Sequence, residues 1–281
     1  MILNMSFKRY EQFFQMTITL ISTLILFLAF VPILLMLMLS FKSNAQIYGN
    51  FWALPWPLEW ENYNVAVKML IPNMINSLVL VLVATTLTVL LASFSGYVFA
   101  RLTFPGKKVL FIMILSLMMI PGVLTLTPAY KLVQDLGLYN TWWALILPWV
   151  SGGQVFGILL CRTFLSAQPA TLFEAARIDG ASEFQAYHKI ALPLAKPIMA
   201  TLAIMNMMGY YNDFIWPLMV IESNTKQVIT VAIRVFQSAT GSIDIGSMVA
   251  GFVFATIPLL ILFLLGSRLY VEGITSGAIK M

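Results

Sequence analysis

Long apolar runs separated by short polar segments dominate the chain. Six runs are long enough to cross a bilayer as helices, at approximately residues 16–40, 76–100, 110–126, 142–162, 198–221 and 248–269. A spanning helix needs about 20 mainly apolar residues. The first run is longer than the apolar part of a signal peptide and lacks a clear cleavage site after it, so we expect it to stay in the mature protein. The pattern predicts an all-α integral membrane protein with one transmembrane domain over residues 1–281.

Composition agrees with this class and excludes several others. Hydrophobic residues make up 60% of the chain and charged residues 10%, whereas soluble domains carry about a quarter charged residues. The net charge of +5 comes without a dense run of Lys and Arg, which argues against a nucleic-acid partner. Cys161 and His188 are the only residues of their types, so we expect no internal disulfide and no metal site built on Cys or His.

The basic residues predict an orientation. With the N-terminus inside, eleven of the 16 Lys and Arg residues fall in inner segments, which favours cytoplasmic placement of both termini. The outer loop after the first run contains Phe51, Trp52, Trp56 and Trp60. An aromatic belt in the headgroup zone is the default interpretation of these residues, and contact with an external partner is the alternative.

The longest inner segment, residues 164–197, predicts two short helices around a glycine. Thr171 with Glu174, and Ser182 with Gln185, have the spacing of capping boxes. Gly180 falls where a left-handed residue ends a helix with little strain. Pro193 is expected to end the second helix, because its ring obstructs a continuing turn.

Helices this short need a surface to pack on, since isolated helices below about 12 residues are marginal in water. Their apolar residues are Leu172, Phe173, Ala175, Ala176, Ile178, Ala181, Phe184, Ala186 and Tyr187. These side chains can pack against the chain's own spans. They can also form a knob that enters a cytoplasmic groove. Composition does not decide between the two interpretations.

The amino-acid sequence of this segment resembles the EAA loop of permease subunits in binding-protein-dependent ABC importers. The matching residues are Glu174, Ala175, Ala176, Asp179, Gly180, Ala181, Ile190, Leu192 and Pro193. In those proteins the loop is the coupling segment that docks into a cleft on the cytoplasmic ATPase. The resemblance therefore implies a type I ABC importer permease fold and an ATPase-docking role for these residues.

Other motifs resemble carbohydrate permeases of the maltose and multiple-sugar type. The matching groups are Asn212-Asp213-Phe214 with Trp216-Pro217, Leu136-Gly137-Leu138 with Asn140-Thr141, and a tail with Tyr270-Val271, Gly273, Thr275, Gly277-Ala278 and Lys280. Two positions depart from that pattern: Tyr211, where many relatives have tryptophan, and Met281, where the tail often carries glycine. The resemblance is to the smaller, six-span subunit of such pairs.

The chain is not expected to be an enzyme. It has no GxxxxGK[ST] phosphate loop, and its only histidine lies in the 164–197 segment, which leaves no Ser, His and Asp set. We expect no cofactor in this chain. The resemblance implies that ATP and Mg are bound by a separate ATPase subunit.

By resemblance, the chain forms half of the translocation pathway for a carbohydrate, with an oligosaccharide favoured and other polar solutes such as glycerol phosphates left open. The implied partners are a second homologous permease, a cytoplasmic ATPase dimer and an extracellular solute-binding protein, in the lipid of a bacterial plasma (inner) membrane. Candidate groups along the path are Gln154, Asn206, Tyr210, Tyr211, Asn212, Asp213 and Trp216. These groups can contact sugar, or they can bridge helices.

The alternative function is an ion-gradient-driven secondary carrier or channel for a small polar solute. Such proteins usually place several ionisable groups inside their spans. Asp213 is the one candidate here, and it can equally cap or anchor the outer end of the fifth span.

Overall fold

The computed structural model describes residues 7–240 and 244–278, with side chains described for 11–240 and 244–266, and this part of the chain consists of helices joined by short loops. The helices in chain order are α1 (Phe7–Ser40), α2 (Asn44–Gly49), α3 (Glu61–Arg101), α4 (Lys107–Ser116), α5 (Gly122–Asp135), α6 (Trp143–Ser166), α7 (Ala170–Ile178), α8 (Glu183–Ala186), α9 (Leu192–Leu194), α10 (Lys196–Asn212), α11 (Ile215–Val220), α12 (Ile229–Thr240) and α13 (Ile245–Ala278). There are also short 3-10 turns at Leu117–Met119 and Asn224–Lys226 and a π turn at Tyr187–Ala191, and the described ranges contain no strand.

Four of these helices are long and apolar enough to span a membrane. Within the described ranges they are Glu11–Ser40, Glu61–Arg101, Trp143–Ser166 and Ile245–Gly266. Two bent pairs raise the number to six: Lys107–Met119 with Gly122–Asp135, at 101°, and Glu183–Leu194 with Lys196–Asn212, at 73°. The predicted all-α membrane fold class is confirmed. The predicted span limits stay predictions, because helix ends are not membrane boundaries.

Two of the predicted runs are not continuous helices. Run 110–126 is interrupted at Ile120, which is extended, because the residue before Pro121 is sterically disfavoured in the helical region. Run 198–221 is interrupted at Asp213, which is also extended, before the helix resumes as α11. Each of the other four runs corresponds to one helix, which is longer than the run on at least one side. The difference is largest at α3, which begins at Glu61.

The chain divides into two compact units. The first covers residues 1–69 and 236–254, and the second covers 70–235 and 255–281, so that α3, α12 and α13 each contribute to both. In the first unit, the Asn62 amide donates to the backbone oxygens of Ser40 and Lys42, at 2.9 and 3.0 Å. The buried ammonium of Lys42 donates to the carbonyls of Asn50 and Phe51. These bonds hold the loop that follows α1.

Helix α1 has large apolar side chains exposed along its length, including Met16, Leu20 and Phe27, each more than 60% exposed. The loop after α1 also exposes Trp52 and Trp56. A surface of this kind is stable in lipid and not in water.

In the second unit, small residues bring α3 and α6 into close contact. A Cβ added at Gly96 would lie 2.5 Å from the Cβ of Cys161, and one at Gly157 would lie 2.7 Å from the Cβ of Ala92. Small residues of this kind allow membrane helices to approach closely. Leu202 of α10 packs beside the same contact, so α3, α6 and α10 form the core on which the segment between α6 and α10 is built.

Candidate functional site

The segment between α6 and α10 folds as helix, glycine elbow and helix. Helix α7 ends at Ile178, and Gly180 follows with a left-handed φ of +82°. The Ala181 N–H donates to the Ala176 oxygen at 2.9 Å and the Gly180 N–H donates to the Arg177 oxygen at 3.0 Å. This pair of bonds is a Schellman motif, which requires a residue that tolerates positive φ. The predicted left-handed elbow at Gly180 is confirmed.

One of the two predicted capping boxes is present. The Ser182 hydroxyl accepts from the Gln185 N–H at 3.3 Å, and the Gln185 side-chain oxygen accepts from the Ser182 N–H at 2.8 Å. The box predicted for Thr171 and Glu174 is wrong. Pro169 stands at the N-cap, so Thr171 is already inside the helix, where its hydroxyl cannot cap the first turn.

Pro193 does not end the second helix, so this prediction is also wrong. The chain passes from α8 through the π turn Tyr187–Ala191 into α9, which contains Pro193 and ends at Leu194. In the π turn the Leu192 N–H donates to the Tyr187 oxygen, five residues back. This register departs from the α-helical ladder that a proline ring would obstruct. The helix axis instead bends by 73° between Leu194 and Lys196.

The inner face of the elbow packs on the ends of α3 and α6. Phe173 is 2% exposed, and its ring lies 6.1 Å from that of Tyr97 and 4.2 Å from the Arg101 guanidinium carbon. Tyr187 is buried as well, and its hydroxyl lies 2.8 Å from the Ser93 hydroxyl. These contacts supply the surface that the two short helices need.

Glu183 joins the elbow to α3 and is called the bridge carboxylate below. One of its oxygens accepts from the Tyr97 hydroxyl at 2.7 Å, and the other accepts from Nε of Arg177 at 2.8 Å. The carboxylate raises the pKa of Arg177 through this charge-assisted hydrogen bond. Nearby, Arg101 donates to the backbone oxygens of Leu165 and Gln168. The ends of α3 and α6 are thereby tied to both elbow helices.

The outer face of the elbow is apolar and exposed. Ile178 is 86% exposed and Phe184 is 68% exposed, on either side of Gly180. Nothing lies within 4 Å of the position that a Cβ at Gly180 would take. The inner face packs on the chain's own helices, as the first interpretation expects. The outer face is not covered by any of the described side chains, as the second interpretation requires.

The residues that match the EAA loop divide in the same way. Glu174, Ala175, Asp179, Gly180 and Pro193 are exposed, whereas Ala176, Ala181, Ile190 and Leu192 are half-buried. Sequence reasoning missed the residues beneath them, Tyr97, Arg101 and the bridge carboxylate. The only local signal for these residues was a charged position three residues after the glycine.

The path candidates on α6 and α10 form a hydrogen-bonded cluster. The Tyr210 hydroxyl donates to the Trp149 oxygen at 2.7 Å and lies 3.0 Å from the Thr88 hydroxyl. The Gln154 amide donates to the Thr88 oxygen at 3.1 Å. Asn206 lies beside this cluster, since a Cβ added at Gly153 would lie 2.4 Å from the Tyr210 hydroxyl oxygen and 2.9 Å from the Asn206 side-chain oxygen. The Asn206 amide donates to the Leu202 oxygen of its own helix.

Asp213 lies in the break between α10 and α11. One of its carboxylate oxygens accepts from the Trp149 indole at 2.7 Å, and the other accepts from the Trp216 N–H at 3.4 Å. The carboxylate therefore contacts the first turn of α11 at a break inside the predicted run 198–221, and the expected role at the outer end of the fifth span stays a prediction. Tyr211 and Trp216 are buried and donate to backbone oxygens, whereas the Asn212 side chain is exposed.

The described residues offer no metal centre. Nowhere in residues 7–240 and 244–278 do three or more His, Cys, Asp or Glu side chains come together in a group able to hold a metal ion. What the site presents is an exposed apolar face carried by packed helices.

These features define an all-α membrane protein with an exposed apolar elbow, and comparison with known proteins gives the family. Residues 89–272 match the family described as the binding-protein-dependent transport system inner membrane component. The chain belongs to this family, whose members are transport components, and the resemblance to ABC importer permeases is confirmed.

Two curated relatives match over most of both chains. The trehalose transport system permease protein SugB of Mycobacterium tuberculosis is 32% identical over 92% of this chain and 96% of its own length. The diacetylchitobiose uptake system permease protein NgcG of Streptomyces coelicolor is 31% identical over 89% of this chain and 84% of its own length.

The fold is also similar to that of a solved structure. A chain from a bacterial ABC transporter involved in the import of the acidic polysaccharide alginate superimposes with a TM-score of 0.84. It covers 94% of this chain and 99% of its own length at 20% identity, which shows a shared fold.

Proposed function

We propose that this chain is the permease subunit of an ATP-driven importer and forms half of the translocation pathway for a carbohydrate, with an oligosaccharide as the favoured class. The names of two relatives, for trehalose and for diacetylchitobiose, support the substrate class. The exposed apolar elbow around Gly180 supports the ATP-driven part of the proposal, because an exposed apolar surface is suited to contact with another protein.

The elbow docks on a cytoplasmic ATPase through its outer face. Ile178 and Phe184 are the apolar anchors, and the exposed charges of Glu174 and Asp179 lie on the rim. Buried apolar anchors surrounded by polar residues are the usual energetic core of a protein interface. A short helix entering a hydrophobic groove is a recurring mode of recognition.

The inner face transmits the movement of the elbow into the membrane. Phe173 and Tyr187 are close-packed against α3, and the bridge carboxylate ties the elbow to Tyr97. Packed interiors transmit displacement because they hold few voids. A shift of the elbow on the ATPase therefore moves the inner ends of α3 and α6.

The assembly around the chain follows from this role. A second homologous permease supplies the other half of the pathway, and an extracellular solute-binding protein delivers the sugar. An ATPase dimer binds ATP and Mg, so that this chain needs no cofactor of its own. We place the chain in the bacterial plasma membrane, with both termini and the elbow cytoplasmic.

Among the path candidates, Asn212 is assigned to the translocation surface because its side chain is exposed. Gln154 and Tyr210 hold α3, α6 and α10 in register through their hydrogen bonds to Thr88 and to the Trp149 oxygen. The buried indole of Trp216 and the carboxylate of Asp213 fix the break between α10 and α11.

Transport in proteoliposomes tests the proposal. The chain, its second permease, the ATPase and the binding protein are reconstituted, and uptake of labelled trehalose and chito-oligosaccharides is measured. We expect uptake that requires ATP and the ATPase and that is insensitive to ionophores. Uptake driven by a proton or sodium gradient without ATP would contradict the proposal and favour a secondary carrier.

A further inference from the structure

A pocket opens where α3, α4 and α6 meet, at the same end of the second unit as the elbow. It has a volume of about 660 Å³. Its walls include the rings of Phe99, Phe104 and Phe111, and its lining also holds the cationic side chains Lys107, Lys108 and Arg162. The pocket thus combines an aromatic interior with three positive charges.

The cations are positioned by the chain but not neutralised by it. The Arg162 guanidinium carbon lies 4.0 Å from the centre of the Phe111 ring, and Nε of Arg162 is buried without a hydrogen-bond partner. Lys107 donates to the Leu102 oxygen, and Lys108 is exposed. Within the described side chains, no carboxylate forms an ion pair with any of the three. The pocket therefore has an unmet preference for an anion.

The surroundings of the pocket indicate the kind of anion. Helix α4 has an exposed apolar surface that begins at the pocket. Its residues Val109, Ile112 and Met113 are each more than 50% exposed. A spanning helix with such a surface meets acyl chains. A soluble phosphate would gain no binding energy from the three aromatic rings. A phospholipid can contact the cations with its phosphate and the rings with its acyl chains. Basic pockets between membrane helices near the cytoplasmic surface are suited to anionic headgroups.

We propose that this pocket is a binding site for an anionic phospholipid. Its phosphate contacts Lys107, Lys108 and Arg162, and its acyl chains lie against Phe99, Phe104 and Phe111. The inference rests on the proposed function in one respect, which is that the chain spans a bilayer with this end of α6 at the cytoplasmic surface. It does not depend on whether the elbow docks on an ATPase.

Bound lipid would brace the base of the elbow. Arg162 lies one turn before the end of α6, and the α6 end accepts hydrogen bonds from Arg101 through the Leu165 oxygen. A headgroup that bridges Arg162 and Lys107 joins the ends of α6 and α4. Occupancy therefore raises the thermal stability of the chain.

Native mass spectrometry of the purified full chain tests the proposal, with phosphatidylglycerol as the probe and phosphatidylcholine as the comparison lipid. The variant Lys107→Gln/Lys108→Gln removes two of the pocket cations. The variant Lys189→Gln/Lys196→Gln removes two exposed lysines outside the pocket and is the matched control. Each cation near a charged lipid surface is worth about fivefold in affinity.

We expect the wild type and the control to retain phosphatidylglycerol in preference to phosphatidylcholine, and the pocket variant to bind it about 25-fold more weakly. Phosphatidylglycerol should raise the melting temperature of the wild type and of the control, but not that of the pocket variant. Arg162→Lys, which keeps the charge but loses the planar contact with Phe111, should fall between the wild type and the pocket variant.

Three results would overturn the inference. The first is equal retention of the two lipids. The second is displacement of phosphatidylglycerol by inorganic phosphate at matched concentration, which would make the pocket a site for soluble anions. The third comes from repeating the measurement on the chain purified together with its second permease. If the pocket variant loses that permease while lipid retention stays unchanged, this surface is a protein interface.

Discussion

Replacing Gly180 with valine tests the elbow at the residue that sets its geometry. The observed φ of +82° lies in the region that non-glycine residues avoid, and a branched side chain adopts it least readily. A Cβ there would meet no atom within 4 Å, so the cost comes from the backbone alone. That cost is about 1–2 kcal/mol, or more for a β-branched residue.

The chain has two ways to respond to Gly180→Val. If it keeps the elbow, the elbow population falls roughly 5- to 30-fold relative to competing backbone conformations. If it abandons positive φ, it loses the Schellman hydrogen bonds made by Gly180 and Ala181, each worth about 0.5–1.5 kcal/mol. Helix α8 then leaves in a different direction and carries the bridge carboxylate away from Tyr97. The spans are spared, because Gly180 is exposed.

Two assays on one membrane preparation measure this effect. We expect Gly180→Val to reach the membrane at near-normal levels, to co-purify poorly with the ATPase and to lose ATP-driven uptake. Gly180→Asn is the matched control, since asparagine tolerates the left-handed region and should keep most of both activities. If Gly180→Val retains both ATPase binding and uptake, the elbow is not the coupling element and the reasoning fails.

Three further predictions address the transmission, the packing and the orientation. Tyr97→Phe removes only the hydroxyl that donates to the bridge carboxylate, so binding-protein-stimulated ATP hydrolysis should fall severalfold with assembly unchanged; unaltered stimulation would refute transmission through this contact. Gly157→Leu should lower the membrane level of the chain, because its side chain meets α3 at 2.7 Å, whereas Gly152→Leu on the open side of α6 should not; equal levels would contradict the close packing. In intact cells an impermeant thiol reagent should label Asn224→Cys and not Lys108→Cys, and the reverse pattern would invert the orientation.

Local chemistry made much of the elbow predictable. Gly180 and the Ser182 capping box each carry their signal within a few residues, and both are present in the structure. The contact of the bridge carboxylate with Tyr97 joins residues 86 positions apart, so no local pattern indicates it. The two faces of the elbow could not be separated from composition either, because α7 and α8 are too short to show a clear apolar stripe.

The interrupted helices were missed for a different reason. A hydropathy run records how apolar a segment is but not where its backbone changes direction. Pro121 did indicate a break in the helix, since a proline disfavours helical geometry at the residue before it, here Ile120. The break at Asp213 had no such signal, because it depends on the Trp149 indole and on the capping of α11 by the Asp213 carboxylate.

Photo-crosslinking from the tip of the elbow tests the central claim most directly. A photoreactive phenylalanine analogue is placed at Ile178, which is 86% exposed, and separately at Leu54, which is 83% exposed in the loop predicted to lie outside. In the assembled, transport-competent complex, we predict that the Ile178 probe forms a crosslink to the ATPase that is lost in Gly180→Val, and that the Leu54 probe forms none. A complex that transports sugar while the Ile178 probe never reaches the ATPase would contradict the claim that this elbow couples ATP hydrolysis to transport.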